Sequence, residues 1–249
     1  MRRIAAIFDI HSNLPALEAV LEDIRHAGVD AIVVGGDVLP GPMPIETIAA
    51  LLALDIPTQL IHGNGDREVL ARMRGGDFSA VPEQAREALR WVAQQLGPEH
   101  EQVLASWPLT LRVDVDGLGE VMFCHATPRN DTDVFTRLTA EAALLPAFDG
   151  ITSRVVVCGH THMQFDRMVG GVRVVNAGSV GMPFGEPGAR WLLLGPDVEM
   201  RNTLYDFAKA AERIRATQYP QAESYAAGNV LQPPREAEML EMFTRSGLK

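Results

Sequence analysis

The sequence has few cysteines, few aromatic residues and no long apolar run. Only two cysteines, Cys124 and Cys158, occur among 249 residues, which excludes a disulfide-stabilised framework. Each cysteine ends a short apolar run: Cys124 is followed by His125, and Cys158 is followed by Gly159 and His160. Strand alternation predicts that each thiol points away from the nearby histidine. We therefore interpret both cysteines as buried small hydrophobes rather than as metal ligands.

No apolar segment approaches the roughly 20 residues that a membrane-spanning helix requires. The first apolar run, residues 4–8, is too short for the core of a signal peptide and leads into Asp9 and His11 without a small-residue cleavage site. We therefore expect no membrane association and a cytoplasmic location.

Basic residues are scarce relative to acidic ones. The chain carries 22 Lys and Arg against 32 Asp and Glu, a formal net charge of −10. Binding to a polynucleotide depends on clustered Lys and Arg that neutralise phosphates, so this balance disfavours a polynucleotide substrate. A small phosphate-bearing substrate is compatible with the net negative charge, because bound divalent cations would make the charge locally positive at their binding site.

The first 65 residues alternate short apolar strands with amphipathic helices. After the first strand, apolar residues recur on one helical face, Ser12 or Asn13 offers an N-cap, and Gly28 follows the helix. This alternation predicts parallel strands joined by right-handed crossovers. The predicted elements are strands at 4–8, 31–34 and 58–61 and helices at about 14–27 and 45–54.

Residues 66–106 are predicted as a helical insert, with helices at 67–74, 83–96 and 99–105. The second half is richer in strands, and Gly170-Gly171 is typical of a two-residue hairpin turn. Helices at 206–217 and 235–245 form a tail, which we expect to pack on the body or, in a homo-oligomer, on a second subunit. The later predicted elements are strands at 109–115, 120–123, 154–157, 164–169, 172–175, 190–194 and 198–204 and a helix near 140–148.

Potential metal ligands follow the predicted strands. The stretch Gly159-His160-Thr161-His162 comes directly after the apolar run 155–158, and metal ligation is a common reason to end a buried strand in imidazoles. Ligands gather at the carboxyl ends of strands in parallel α/β sheets, so residues at several such ends are expected to converge. Mixed Asp, His and Asn ligation suits Mn, Fe, Zn or Co, and suits neither calcium nor a closed thiolate zinc site. The candidates are Asp9, His11, Asp37, Asn64, His125, His160 and His162.

Taken together and in this order, these motifs resemble the calcineurin-like metallophosphoesterase superfamily. The resemblance covers about residues 1–205. It is closest to the small bacterial and archaeal phosphodiesterases, whose Asn-Ala/Pro-Gly-Ser-Val-Gly stretch is similar to residues 176–181. The matching motifs are Asp9-x-His11, Gly36-Asp37 followed by Gly41-Pro42, Gly63-Asn64-x-Asp66, His125 and Gly159-His160-x-His162.

The resemblance implies a fold and a ligand set. The implied fold is α/β, a four-layer α/β-β/α sandwich over residues 1–205 with the site on its rim, followed by a C-terminal helical extension at 206–249. Two divalent metal ions are implied, with Mn preferred and Fe, Zn, Ni or Co as alternatives. One would be bound by Asp9, His11 and His162, the other by Asn64, His125 and His160, and Asp37 would bridge the two.

The resemblance also implies a phosphoric ester hydrolase. Two cations about 3.5–4 Å apart would activate a shared water, whose hydroxide attacks phosphorus in line with the leaving oxygen. We expect a phosphodiesterase acting on small substrates, with a phosphomonoesterase, a dinucleoside polyphosphatase or a nuclease as alternatives. A non-catalytic scaffold is the alternative from another class, although known scaffold relatives have lost ligands whereas all seven are present here.

Gly65 departs from the family pattern, because many relatives have a histidine there that is thought to contact phosphate or protonate the leaving group. Its absence leaves no protein general acid and should favour diesters with good leaving groups, since such an acid typically contributes about 10²–10⁴-fold. The glycine is also expected to leave room beside the second metal. Asn13, Arg67 and Arg129 are candidate phosphate contacts, with surface ion pairs as the alternative, and Asp66 is expected to cap the next helix.

Overall fold

In the computed structural model, which describes residues 2–76 and 83–248, the strands form two five-stranded sheets. In the first sheet, β1 (Ile4–Ile7), β2 (Ala31–Val34) and β3 (Thr58–Leu60) are parallel, as predicted. Strands β9 (Ala189–Leu194) and β10 (Val198–Thr203) extend it on the other side of β1 as antiparallel neighbours. The strand order is β10-β9-β1-β2-β3, so β1 lies at the centre.

The second sheet has the order β4-β5-β6-β8-β7. Strands β5, β6 and β8 are parallel, and β4 and β7 are antiparallel edges. Gly170 and Gly171 have φ of 54° and 87°, a backbone that glycine adopts readily, and they form the predicted tight turn between β7 and β8. The strands are β4 (Thr110–Val115), β5 (Gly119–Cys124), β6 (Val155–Cys158), β7 (Phe165–Val169) and β8 (Val172–Asn176).

Three clusters of buried apolar side chains define the layers. One lies between the sheets, where Phe8 and Leu192 of the first sheet pack with Phe123 and Val157 of the second. Another joins the outer face of the first sheet to its helices, and a third joins the outer face of the second sheet to the helix that ends at Phe148. The predicted four-layer α/β-β/α sandwich is therefore confirmed.

The first helix, α1 (Leu14–Ala27), shows how the sequence sets its own boundaries. The Asn13 side chain accepts a hydrogen bond from the backbone N–H of Ala16 (3.3 Å), and Gly28 ends the helix in the left-handed conformation with φ of 63°. The other helices of the body are α2 (Pro44–Leu52), α3 (Asn64–Met73), α4 (Glu83–Gln95), α5 (Pro98–Ser106) and α6 (Glu141–Phe148).

Helices α3, α4 and α5 correspond to the predicted helical insert, of which residues 77–82 lie outside the described residues. Helix α3 begins at Asn64, earlier than predicted, and Gly63 occupies its N-cap position. The expectation that Asp66 is the N-cap of this helix is therefore wrong, because Gly63 occupies that position. Asp66 lies within the first turn, where its carboxylate accepts hydrogen bonds from the backbone N–H groups of Gly63 (3.0 Å) and Leu39 (2.9 Å).

The C-terminal segment contains α7 (Phe207–Arg215), α8 (Ala222–Tyr225), a π-helix at Ala226–Leu231 and α9 (Glu236–Ser246). Helix α8 and the π-helix were not predicted, because residues 218–232 contain Pro, Gly and polar residues without a helical apolar period. Ile214, Tyr225 and Val230 are buried in the same core as α1. Within residues 2–76 and 83–248, no helix has both the length and the apolar character needed to cross a bilayer.

Candidate dimetal centre

The seven candidate ligands lie at the carboxyl ends of β1, β2, β3, β5 and β6. Backbone hydrogen bonds tie these strand ends together: the N–H of His11 donates to the carbonyl of Asp37 (2.9 Å), and the N–H of Gly159 donates to that of His125 (2.8 Å). The N–H of Gly181 in turn donates to the carbonyl of Asp9 (2.9 Å). Loops that are far apart in the sequence are therefore held at one rim where the two sheets meet.

Asp9, His11 and His162 form a first group of potential ligands whose donor atoms lie within 4.8 Å of one another. The Nε2 atoms of His11 and His162 are 3.2 Å apart, and His162 Nε2 lies 3.3 Å from Asp9 Oδ1. Asp9 and His11 are buried, and the His162 side chain is only 11% exposed. Two imidazole nitrogens and a carboxylate oxygen directed at one point form a donor set that suits a borderline divalent metal.

Asp37, His125 and His160 form a second group, also with donor atoms within 4.8 Å. His125 Nε2 lies 3.4 Å from Asp37 Oδ2. The Asn64 amide reaches the same point, because the end that faces the site lies 3.0 Å from His160 Nδ1 and 3.3 Å from His125 Nε2. With its nitrogen on that side the amide would donate to the imidazoles, whereas with its oxygen there it can act as a metal ligand.

One oxygen of Asp37 faces both groups. Asp37 Oδ2 lies 3.7 Å from His11 Nε2 in the first group and 3.4 Å from His125 Nε2 in the second. The other oxygen, Oδ1, accepts a hydrogen bond from the backbone N–H of Gly65 (2.8 Å), which fixes the orientation of the carboxylate. The geometry therefore places a single carboxylate oxygen between two clusters of nitrogen and oxygen donors.

Backbone carbonyls orient two of the imidazoles. Nδ1 of His125 lies 3.0 Å from the carbonyl oxygen of Gly35, and Nδ1 of His162 lies 2.8 Å from that of Met182. Each contact assigns the proton to Nδ1 and leaves the lone pair of Nε2 directed into the site, as is usual for histidines that bind a metal. Neither Gly35 nor Met182 carries a sequence signal for this role, because the contact is made by the main chain.

Asp9 provides a direct test of whether a cation fits. Its Oδ2 accepts a hydrogen bond from the backbone N–H of His160 (2.9 Å), but its Oδ1 is buried without a hydrogen-bond partner among the described residues. A buried carboxylate oxygen without a partner carries a large desolvation cost, which a bound cation would offset. The donor set and this oxygen therefore fit a divalent metal.

The backbone at the site is strained in a way that singles out the ligand candidates. Among the described residues, the non-glycine residues with positive φ are Asp9 (53°), His11 (47°), Ser12 (50°), Asp37 (51°), His160 (66°) and His162 (59°). All but Ser12 are candidate ligands. Each such conformation costs on the order of 1–3 kcal/mol and tends to persist where function needs it. No sequence pattern marked these positions, since positive φ is otherwise typical of glycine.

Two glycines allow the strand ends to approach the carboxylates. A Cβ at Gly63 would lie 2.1 Å from Asp37 Oδ1, and a Cβ at Gly159 would lie 2.3 Å from Asp9 Oδ2. Any other residue at these positions would therefore displace a carboxylate. This explains the glycines of the Gly63-Asn64 and Gly159-His160 motifs.

The charged side chains of the two donor groups strongly shift one another's pKa values. Burial raises the pKa of Asp37, but the neighbouring His125 outweighs it and holds that pKa well below its usual value. Burial lowers the pKa of His125, but Asp37 and Asp9 raise it overall to about 10. Burial and the neighbouring His125 both lower the pKa of His160, to about 4. In the absence of metal, protons on selected imidazoles therefore balance the two carboxylates.

The predicted substrate contacts have different surroundings. Asn13 is fully buried, and its amide NH₂ donates to the carbonyl of Gly181 (3.0 Å) while its oxygen caps α1. Arg67 makes a two-point ion pair with Asp131 (2.7 and 3.1 Å), and the exposed Arg129 makes one with Asp133 (2.6 and 3.2 Å). Both arginines are thus engaged in the ion pairs that were the alternative interpretation.

The space beside Gly65 is filled by the main chain. A Cβ at position 65 would lie 2.3 Å from the carbonyl oxygen of Leu39 and 2.9 Å from Cδ of Pro40. The expectation that Gly65 leaves room beside the second metal is therefore wrong, because the Leu39–Pro40 segment occupies that room. A histidine at this position would require the backbone to move.

Two residues of the C-terminal half support the first group and were missed in the sequence. Phe184 stacks on His162, with ring centroids 5.5 Å apart and planes inclined by 25°. The hydroxyl of Tyr225 donates to the carbonyl oxygens of His11 (3.0 Å) and Gly181 (3.2 Å). Neither aromatic residue belongs to a sequence motif that would signal such a contact.

Comparison with known proteins places this geometry among phosphoesterases. The family model described as calcineurin-like phosphoesterase superfamily domain matches residues 2–195. An uncharacterized protein of Methanocaldococcus jannaschii is 28% identical over 240 residues, covering 88% of this chain and 94% of its own.

Two solved structures share the fold over most of the chain. A metallophosphoesterase from Sphaerobacter thermophilus is 27% identical, with a TM-score of 0.71, and the match covers 92% of this chain and 99% of its own. A hypothetical protein from Pyrococcus horikoshii is 22% identical, with a TM-score of 0.78, and the match covers 91% and 98% respectively. Because the family model ends at residue 195, coverage of this extent means that the likeness continues into the C-terminal segment.

Proposed function

The chain belongs to the calcineurin-like phosphoesterase superfamily, and on that premise we propose that it is a two-metal phosphodiesterase acting on small substrates. The observation that carries the proposal is the position of Asp37 Oδ2 between the two donor groups, 3.7 Å from His11 Nε2 and 3.4 Å from His125 Nε2. A carboxylate so placed is suited to hold two mutually repelling cations close together.

The proposed ligand set follows from the two donor groups. Asp9, His11 and His162 would hold one metal, Asn64, His125 and His160 would hold the other, and Asp37 would contribute to both. The mixture of imidazole, carboxylate and amide donors supports a borderline metal, with Mn preferred and Fe, Zn, Ni or Co as alternatives. When bound, the two cations supply Lewis-acid polarisation of the phosphoryl group and activation of water.

The chain's own residues set the charge and geometry of the reaction. Asp9 and Asp37 bring two negative charges, and the other five ligands are neutral in the metal-bound state, so two divalent cations leave a net charge of about +2 that attracts a phosphate ester. The carbonyls of Gly35 and Met182 keep the Nε2 lone pairs of His125 and His162 directed inward. The rigid, strained loops at the strand ends keep the donors in position before substrate arrives.

Proton transfer to the leaving group has no assigned side chain in this proposal. Gly65 provides none, and the Leu39–Pro40 segment occupies the adjacent space. We therefore propose a preference for diesters with good leaving groups, for which general-acid help contributes least. Arg67 and Arg129 contact the substrate phosphate in this scheme by leaving Asp131 and Asp133, and Asn13 acts by holding the loops. The buried, unpaired cysteines are consistent with a cytoplasmic location.

The test combines metal analysis with a substrate panel. Purified protein supplemented with Mn²⁺ should bind about two metal ions per chain and hydrolyse bis(p-nitrophenyl) phosphate faster than p-nitrophenyl phosphate. Asp37→Asn keeps the size of the side chain but removes the bridging charge, and should lose both metals and the activity. The matched control is Asp149→Asn at an exposed position, which should change neither.

The panel separates the alternatives. Faster turnover of the monoester, of a dinucleoside polyphosphate or of a polynucleotide at the same Mn²⁺ concentration would replace the phosphodiesterase proposal with the corresponding activity. A protein that binds no metal after supplementation and hydrolyses none of these substrates would be a scaffold, and the proposal would be abandoned.

A further inference from the structure

A cavity of about 400 Å³ adjoins the candidate dimetal centre at His11. Pro40 and Met182 form the part of its wall that belongs to the loops of the centre, and Ala85 and Ala88 of α4 form a second part. Its volume falls within the range of about 300–1,000 Å³ that is usual for sites of small ligands. We refer to it as the tail pocket, because the C-terminal segment provides the rest of its lining.

The C-terminal segment contributes most of that lining through α8, the π-helix and the residues just before them. Tyr219, Tyr225, Gly228 and Asn229 are among the lining residues. The segment is held firmly against the body: the Tyr219 ring packs edge-on against Trp91 of α4 at 5.5 Å, and the Tyr225 hydroxyl donates to the carbonyl of His11 at 3.0 Å. The wall of the pocket is therefore fixed to the loop that carries a proposed metal ligand.

The lining is largely uncharged and partly aromatic. Among the described lining residues, one is a histidine, His11, and none is Lys, Arg, Asp or Glu. A second phosphate group would find no cation among these described lining residues, whereas an aromatic ring would find tyrosine rings together with the Ser224 hydroxyl and the Asn229 amide.

We propose that the tail pocket binds the organic substituent of the substrate, and that this substituent is an uncharged, ring-bearing group attached to a single phosphoryl group. The proposal rests on the proposed two-metal hydrolase, because the centre must hold the phosphoryl group for its substituent to reach the pocket. It assigns the C-terminal segment, which lies beyond the part matched by the family model, the role of selecting the substrate. The proposal also argues against dinucleoside polyphosphates as substrates, because these carry further phosphate groups.

The test uses phosphonates, which bind without being hydrolysed. In isothermal titration calorimetry, the Mn²⁺-loaded protein should bind phenylphosphonate about tenfold or more tightly than methylphosphonate, since the two differ only in the group that enters the pocket. Gly228→Trp should abolish that preference. A Cβ at Gly228 meets no atom of the described residues within 4 Å, so the backbone there accepts a larger residue.

A second variant and a matched control keep the test decisive. Ser224→Trp, at an exposed lining residue, should also reduce the ratio of the two dissociation constants to about one. Ala208→Trp places the same bulk on the exposed face of α7 and should keep the preference of the unaltered protein. The preference surviving both pocket variants, or being absent from the unaltered protein, would overturn the proposal.

Failure of this inference is distinguishable from failure of the proposed function. A preference for phenylphosphonate that both pocket variants abolish, in a protein that hydrolyses no phosphate ester, would support the pocket and refute the activity. Diester hydrolysis with equal affinity for the two phosphonates would support the activity and refute the pocket. Absence of measurable binding of either phosphonate to the Mn²⁺-loaded protein would also refute the proposal that the pocket binds the organic substituent.

Discussion

The hydroxyl of Tyr225 donates a hydrogen bond of 3.0 Å to the backbone carbonyl of His11, although 214 positions separate the two residues. The same hydroxyl lies 3.2 Å from the carbonyl of Gly181. His11 has a positive φ of 47°, so its loop holds a conformation that surrounding contacts must maintain. The C-terminal segment thus stabilises a loop of the candidate centre from outside the region that the family model matches.

Replacing Tyr225 with Phe should weaken both the fold and the first metal site. The substitution removes the donor shared by two buried carbonyl groups, which typically costs about 1–3 kcal/mol. Thermal denaturation should show the loss of stability, and metal titration should show weaker binding of one of two ions. The stability control is Tyr219→Phe, whose hydroxyl makes no hydrogen bond with the described residues. Equal effects of the two substitutions would contradict a specific role for the Tyr225 hydroxyl.

Removing one imidazole from each group should separate the two metals. We expect His11→Ala and His160→Ala each to retain about one metal ion per chain, and the double variant to retain none, because the donor groups are distinct but share Asp37. Elemental analysis of dialysed protein gives the stoichiometry. Loss of both ions from either single variant would show that the sites load only as a pair, and would contradict the assignment of His160 and His11 to different metals.

Metal binding should stabilise the protein more as the pH rises. In the metal-free state, burial lowers the pKa of His125, but Asp37 and Asp9 raise it overall from 6.5 to about 10. Protonated His125 therefore contributes stability that is fully present below pH 6.5 and is lost as the pH rises toward 10. A bound cation replaces that proton, so apparent affinity should improve about tenfold per pH unit for each proton displaced.

The corresponding measurement is the shift in melting temperature caused by Mn²⁺ at pH 6.5 and at pH 8.5. The shift should be larger at the higher pH for the unaltered protein, and near zero at both for Asp37→Asn. A shift that is constant or that decreases with pH would show that no proton leaves the cluster when the metal binds.

Position 65 should tolerate no side chain. Gly65→Ala places a Cβ 2.3 Å from the carbonyl oxygen of Leu39, and we expect a loss of about 1–3 kcal/mol from the strain of relieving that clash. Gly228→Ala is the matched control, since its added methyl group lies more than 4 Å from every atom in the part of the chain that the structure describes. Chemical denaturation of both variants checks the difference. A stable Gly65→Ala protein would show that the Leu39–Pro40 segment moves easily, and would reopen this space for a histidine.

The sequence predicted the fold well, because its signals are local. The apolar strands, the capping of α1 by Asn13 and Gly28, and the Gly170-Gly171 turn each follow from residues within a few positions of one another. Helix α8 and the π-helix were missed because no local signal marks them. They are stabilised by burial of Tyr225 and Val230 against residues that are distant in the sequence. The position of Asp66 inside α3 likewise depends on the backbone N–H of Leu39.

By itself the sequence determined which donor atoms the chain offers, since these are a property of side chains, and their order along the chain identified the family. Only the tertiary structure decided how those donors are arranged. The orientation of His125 and His162 comes from main-chain carbonyls, the orientation of the Asp37 carboxylate from the N–H of Gly65, and the closed space at position 65 from Leu39. The main chain is chemically alike at every residue, so its contacts leave no trace in the sequence until the chain has folded.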